Sequence, residues 1–87
     1  MVNKELFDFV KYVMETIKVD MEQAEITYFD DRRIILSVNT NNKRYSIRTW
    51  NINKYCVCYS IFELIEDYGI PIVESKYYFF NENRSIK

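Results

Sequence analysis

The chain has 87 residues, of which 48% are hydrophobic and 17% aromatic, and its formal net charge is −1. A chain of this length forms one domain with a small core, so we expect a single domain over residues 1–87 with a loose tail at about 81–87. The hydrophobic content excludes a disordered chain, and no apolar run is long enough to span a bilayer. Charges at Lys4, Glu5 and Asp8 do not fit a signal peptide, so we expect a cytoplasmic protein.

The residue types exclude most catalytic and metal-binding chemistry. Histidine is absent and there is one glycine, which removes the commonest general base, the commonest transition-metal ligand and any glycine-rich phosphate loop. Cys56 and Cys58 supply two thiolates where zinc takes about four ligands. They are read as small buried hydrophobic residues in a reducing compartment. We therefore expect no enzyme, no bound metal and no cofactor.

The first predicted element is an amphipathic helix over residues 4–18. One apolar stripe at helical spacing is formed by Leu6, Val10, Val13 and Ile17. Asn3 is placed to cap the first turn of this helix. Most of the charged residues fall away from the stripe, so we expect the stripe to pack on the core.

After a polar connector the hydrophobic period changes to two, the period of a β-strand. Alternation recurs in E-I-T-Y-F, R-I-I-L-S-V-N and R-Y-S-I-R-T-W, which begin at residues 25, 33 and 44. Asp30-Asp31 and Asn41-Asn42 lie between these segments, and both residue types favour turns. The pattern predicts three antiparallel strands in meander order, and the first helix should cover the face of Ile34, Leu36 and Val38.

The segment from Asn53 to Tyr68 admits two interpretations. A single helix over it has a continuous apolar stripe, with Gly69 as a left-handed C-cap and Pro71 preventing continuation. Alternatively, residues 60–63 form a capping box that starts a shorter helix, and the β-branched and aromatic residues 55–59 form a fourth strand. We favour the single long helix.

Together these segments predict an α+β fold, in which a small antiparallel sheet of three to four strands packs with two helices in the order α-β-β-β-α-β. Residues 72–80 supply the last strand, at an edge of the sheet. Its aromatic run, residues 77–80, alternates, so either Tyr77 and Phe79 or Tyr78 and Phe80 face outward. We expect these rings to pack against the first helix; the alternative is a homodimer or partner contact.

Charge is distributed unevenly along the chain. Residues 1–31 carry eight acidic and three basic residues, whereas residues 32–54 carry six basic residues and no acidic one. Residues 55–87 return to a small acidic excess, with five acidic and three basic residues. The near-zero total therefore conceals a dipolar molecule, a property that orients encounters with a charged partner.

The alternation gathers basic and aromatic residues on one face of the hairpin of residues 33–50. Arginine and tryptophan dominate protein-binding hot spots, while cations beside aromatic rings also serve nucleic-acid binding. A third interpretation is a solvated hairpin with the tryptophan folded into the core. The candidate partner-binding residues are this basic and aromatic set with the neighbouring acids, namely Asp30, Asp31, Arg33, Lys43, Arg44, Arg48 and Trp50.

The order of these segments resembles that of the small phage-encoded anti-CRISPR proteins that inhibit Cas9. The resemblance covers about half of the chain and rests on R-I-I-L-S-V-N at 33–39, the Asn41-Asn42 turn, Y-S-I at 45–47 and the apolar segment ending at Gly69. It implies a stoichiometric inhibitor that occupies the binding surface of a nucleic-acid-handling enzyme. Inhibitors that mimic DNA are strongly acidic, whereas this hairpin is basic, so simple mimicry is not expected. Acidic contacts would come from residues 20–31, and the basic face would meet an acidic patch or the guide RNA.

We therefore expect a non-enzymatic interaction protein of phage or mobile-element type, which binds and occludes a host nucleic-acid-handling protein such as a CRISPR effector. The alternative is a nucleic-acid-binding domain that uses the basic, aromatic face of the hairpin. A membrane partner is not expected.

Overall fold

The computed structural model describes residues 3–30, 33–50 and 54–80, with side chains from Leu6 onward. One α-helix, α1 (Asn3–Ile17), is followed by a 3-10 turn (Met21–Gln23). Five strands then follow in chain order: β1 (Ala24–Phe29), β2 (Ile34–Asn39), β3 (Arg44–Trp50), β4 (Cys56–Ile65) and β5 (Tyr68–Phe79). The helix predicted over residues 4–18 and the three strands predicted between residues 25 and 50 are thus confirmed.

All five strands form one antiparallel sheet in the order β1-β2-β3-β4-β5. Each strand pairs with its neighbour in the chain, so β1 and β5 form the two edges. The register sets Leu36 opposite Ile47, and Ile47 opposite Ile61. Because residues paired across an antiparallel sheet point to the same face, these three side chains form a row beneath α1.

The core lies between α1 and this face of the sheet. The helix contributes Phe9, Val10, Val13 and Met14, and the three central strands contribute alternate residues that are buried with them. Fully burying an aliphatic side chain of this kind stabilises the fold by about 1.5–3 kcal/mol. The predicted apolar stripe of α1 is therefore correct in direction, although Leu6 and Ile17 are only partly buried at its ends.

The second predicted helix is wrong, and with it the predicted fold class. The segment Cys56–Ile65 is strand β4, in which Val57, Tyr59 and Ile61 alternate inward and are buried. Over the described residues the chain forms five strands and one α-helix, not three to four strands and two helices in the order α-β-β-β-α-β. The apolar stripe at helical spacing included Val57 and Ile61, which are four positions apart and therefore also fit the two-residue period of a strand. The β-branched and aromatic residues of this segment favour the strand.

Gly69 and Pro71 do not end a helix; both lie in β5. The chain turns instead at Glu66 and Asp67, where Glu66 has a positive φ of 54°. Proline is compatible with β5 because an edge strand leaves one side of its backbone unpaired. The predicted edge strand over 72–80 is therefore correct in type, but it begins earlier, at Tyr68. The predicted N-cap side chain of Asn3 and the predicted tail at 81–87 lie outside the described residues.

One buried hydroxyl joins β2 to the end of β3. The backbone N–H of Ile34 donates to Oγ1 of Thr49 at 2.6 Å, and that hydroxyl donates to the carbonyl oxygen of Ile34 at 3.1 Å. Thr49 is buried, so without its hydroxyl two backbone groups of Ile34 would lose a partner away from water.

Candidate protein-binding surface

The helix covers one face of the sheet, and the opposite face carries no other described element. We call this second surface the open face. It is formed by the residues that alternate with the core positions of β2 to β5, chiefly Ile35, Ser46, Arg48, Trp50, Cys58, Phe62, Leu64 and Tyr77. The register places Arg48 between Ile35 and Ser60, and Trp50 beside Cys58.

A groove of about 390 Å³ crosses the open face. It is lined by Ser46, Arg48, Trp50, Phe62, Leu64, Asp67 and Gly69. Trp50 is 40% exposed although it is the largest apolar side chain in the protein. The interpretation that folds Trp50 into the core is therefore wrong, since the adjacent Thr49 faces the core instead.

Arg48 is the exposed cation at the centre of the open face. Its Nε donates to Oγ of Ser46 at 3.5 Å, and it forms no ion pair with any described residue. Its neighbours across the sheet are Ile35 and Ser60, which carry no charge. An arginine with neutral neighbours and a half-exposed tryptophan two residues away matches the composition of protein-binding hot spots.

The predicted site residues are divided between two ends of the sheet. Arg48 lies opposite Ile35 and Arg44 lies opposite Asn39, so Lys43 and Arg44 are at the end formed by the β2–β3 turn. Trp50 lies at the other end, close to the β1–β2 turn. Arg48 lies four positions after Arg44 along β3, a distance of about 13 Å. The six predicted residues that the structure describes therefore do not form one cluster.

Lys43 and Arg44, at the β2–β3 turn, contact the β4–β5 hairpin of the same chain. The Nζ of Lys43 lies 3.9 Å from Oε2 of Glu63, and Nη2 of Arg44 donates to the carbonyl oxygen of Glu66 at 3.1 Å. The sequence of the β2–β3 segment holds no carboxylate, but the fold brings one to it from β4. This end of the hairpin is less available to phosphate than its sequence indicated.

Asp30 and Arg33 hold the β1–β2 turn together. The carboxylate of Asp30 accepts from the Tyr28 hydroxyl at 2.7 Å and from the Arg33 backbone N–H at 2.7 Å. The Arg33 guanidinium lies over the Tyr28 ring, 5.0 Å from its centroid. These contacts give both residues a structural role in the turn. Asp31 lies outside the described residues.

The aromatic run at residues 77–80 divides between the two faces. Tyr78 and Phe80 face α1, and the rings of Phe9 and Tyr78 are 5.4 Å apart. Tyr77 and Phe79 face the open side and are 60% and 48% exposed. The expected alternation is confirmed, while a homodimer through residues 77–80 stays a prediction.

Several open-face residues were missed by the sequence interpretation because they lay in the segment read as a helix. Phe62, Leu64 and Asp67 line the groove. Cys56 and Cys58 are only half-buried, and Cys58 lies beside Trp50 on the open face. The signal that locates Phe62 and Leu64 is the alternation of Val57, Tyr59 and Ile61, which assigns the even-numbered positions to the other face.

Within residues 3–30, 33–50 and 54–80, no group of three or more His, Cys, Asp or Glu side chains is placed to hold a metal ion. None of the described helices has the length and apolar character needed to cross a membrane. Comparison of the chain with protein-family models, with curated proteins and with solved structures found no match.

Proposed function

We propose that this chain is a non-enzymatic protein-binding module that uses the open face of its sheet. The observation that carries the proposal is the groove in which exposed Arg48 and Trp50 adjoin half-buried Phe62 and Leu64. Tryptophan and arginine in such a setting anchor protein partners, and the surrounding apolar residues exclude water from the contact. The exposed Tyr77 and Phe79 extend this apolar surface across β5.

The charges favour a protein over a nucleic acid as the partner. Binding to a phosphate backbone depends on several cations that are free to neutralise phosphates. Lys43, Arg44 and Arg33 instead contact groups of the chain itself. Asp67 also lines the groove, and its negative charge would repel a phosphate there.

The inhibitory role implied by the anti-CRISPR resemblance is part of this proposal. In that role the open face binds a host nucleic-acid-handling protein and blocks its binding surface by occlusion. A standard interface covers about 800 Å² on each partner, so the contact would extend from the groove to the exposed rings of β5. Arg48 would then meet an acidic group of the partner, and Trp50 an apolar pocket.

The test compares capture of partners by purified variants. Trp50→Ala and Arg48→Ala alter the open face, whereas Phe7→Ala removes an aromatic side chain of comparable exposure from α1. We expect a partner that binds the wild type and Phe7→Ala, and whose affinity falls at least about tenfold with either open-face variant. Equal binding by all variants would contradict the proposal.

A nucleic-acid titration completes this test. Labelled single-stranded RNA, single-stranded DNA and duplex DNA are titrated with the protein at low and at physiological salt. We expect no binding at physiological salt. Tight binding with a log–log salt slope of about −4 would favour the nucleic-acid-binding alternative and reject the protein-binding one.

A further inference from the structure

The free edge of β1 is a second feature with the character of a binding site. Among the strands that the structure describes, β1 is the first in the sheet order and pairs only with β2. Every residue of β1 after Ala24 is exposed. Because the edge of a sheet presents unpaired backbone N–H and C=O groups, such an edge is a template for an added strand.

An apolar groove of about 340 Å³ adjoins this edge, between β1 and α1. Its walls are formed by Leu6, Phe7, Val10, Met21, Ala24 and Ile26. Phe7 and Ile26 are 55% and 44% exposed, although both are large and apolar. A strand added beside β1 would lie about 4.8 Å from it, and every second side chain would point to the α1 side and enter the groove.

A bulge in β1 limits the length of the added strand. The pairing of β1 with β2 is irregular between Ile26 and Tyr28, and the Thr27 hydroxyl donates to the Ile35 carbonyl oxygen at 3.2 Å. Bulges bend a strand and interrupt regular pairing. Ala24 and Ile26, which line the groove, precede the bulge. The available template is therefore the first half of β1.

The charge at this edge indicates which strand would bind there. No basic residue occurs between Lys18 and Arg32, while Asp20, Glu22 and Glu25 are all exposed. Neither Glu22 nor Glu25 forms an ion pair with a residue that the structure describes. Pairing of β1 with β1 of a second copy would bring these like charges together, which is unfavourable in an antiparallel pair. A basic strand would be attracted instead.

We propose that the free edge of β1 binds an extended basic peptide as a sixth strand of the sheet. Alternate apolar side chains of the peptide occupy the groove between α1 and β1, and its lysines or arginines lie near Glu22 and Glu25. Backbone hydrogen bonds supply affinity, and the groove and the carboxylates supply specificity. The apolar groove of this site is on the opposite side of the sheet from the groove of the open face, and the site does not depend on the function proposed for that face.

The probe for this site is a fluorescein-labelled peptide of about eight residues with alternating lysine and valine. It is titrated with the full chain, and binding is followed by fluorescence anisotropy. A second peptide has glutamate in place of lysine, and a third keeps the side chains but has N-methylated amides. We expect binding of the first peptide and at least about tenfold weaker binding of the other two.

Variants of the protein locate the bound peptide. Ile26→Ser removes one wall of the groove and should weaken binding at least about tenfold. The double variant Glu22→Gln, Glu25→Gln should weaken binding and reduce its salt dependence; it stays informative if Ile26→Ser does not fold. Ile72→Ser, at a residue of similar exposure on the opposite edge strand, and Trp50→Ala are the controls and should leave the affinity unchanged.

Three results would overturn the proposal. The first is no binding of the lysine–valine peptide at low salt. The second is equal binding of the glutamate or N-methylated peptide. The third is loss of binding in Trp50→Ala or Ile72→Ser with no loss in Ile26→Ser and the double glutamine variant. None of these results bears on partner capture by the open face, so the two proposals can fail separately.

Discussion

The two faces of the sheet are built from the same strands but have opposite relations to solvent. On the face beneath α1, Leu36, Ile47 and Ile61 form a row that is fully buried. On the open face, the neighbouring residues Ile35, Arg48 and Trp50 are half-buried or exposed. Because successive residues of one strand serve the two faces, stability and binding can be altered independently by substitutions one position apart.

The largest effect on the free energy of unfolding is expected for a residue on the buried face beneath α1. Ile47→Ala leaves a cavity beneath α1 and should lower the free energy of unfolding by about 2–5 kcal/mol. Ile35→Ala removes the same atoms from the open face and should cost about 1 kcal/mol. Chemical denaturation of both variants measures the difference. Equal losses would mean that the open face is as buried as the core.

Removal of the buried Thr49 hydroxyl should have the next largest effect on the free energy of unfolding. Thr49→Val keeps the shape of the side chain but leaves the N–H and C=O of Ile34 without this partner, so we expect a loss of about 1–3 kcal/mol in the free energy of unfolding. Thr49→Ser keeps the hydroxyl and serves as the matched variant. If serine and valine are equally destabilising, the loss arises from packing and not from the hydrogen bonds.

Alkaline pH should also lower the stability of the protein, through a tyrosine on the face of the sheet that α1 covers. Burial raises the pKa of Tyr59 well above its ordinary value, and the hydrogen bond from its hydroxyl to that of Tyr12 adds to this shift. The unfolded chain therefore loses this proton near pH ~10 while the folded chain retains it, so stability falls as pH rises above that value.

Unfolding measured between pH 9 and 11 for the wild type and Tyr59→Phe checks this expectation, since the phenylalanine variant should lose part of the alkaline destabilisation. Tyr77→Phe controls for removal of an exposed hydroxyl. An identical pH dependence in the wild type and Tyr59→Phe would show that Tyr59 is accessible to water.

The smallest effect on stability is expected on the open face itself. Trp50→Ala and Arg48→Ala remove exposed side chains and should each change the free energy of unfolding by less than about 0.5–1 kcal/mol, while both weaken partner binding. Thermal unfolding followed by circular dichroism measures the first quantity. A collapse of the fold in either variant would assign these residues to structure and not to binding.

The sequence predicts the first half of the fold because its periods are unambiguous there. In α1 the three-residue spacing of Val10 and Val13 fits a helix but not a strand. In β2 the alternation of Ile34, Leu36 and Val38 fits a strand but not a helix. Between residues 56 and 65, apolar residues occupy both faces of β4, so the segment satisfies both periods. Gly69 and Pro71 then resembled a helix end, since a sequence does not reveal that the strand holding them is at an edge of the sheet.

The candidate site was predicted only in part for a related reason. Arg48 and Trp50 were found because alternation within β3 places them opposite the core. Their partners Phe62 and Leu64 come from β4, and the register that joins them to β3 is a tertiary property. The same register brings Glu63 and Glu66 to Lys43 and Arg44, which local charge counting could not predict.

Quenching of tryptophan fluorescence by acrylamide tests the central claim most directly, because Trp50 is the only tryptophan in the chain. The open face predicts a solvent-accessible indole in the folded protein, with red-shifted emission and a quenching constant that is a substantial fraction of the unfolded value. Blue-shifted emission and quenching close to zero would place Trp50 in the core. That result would contradict an open face and the binding function proposed for it.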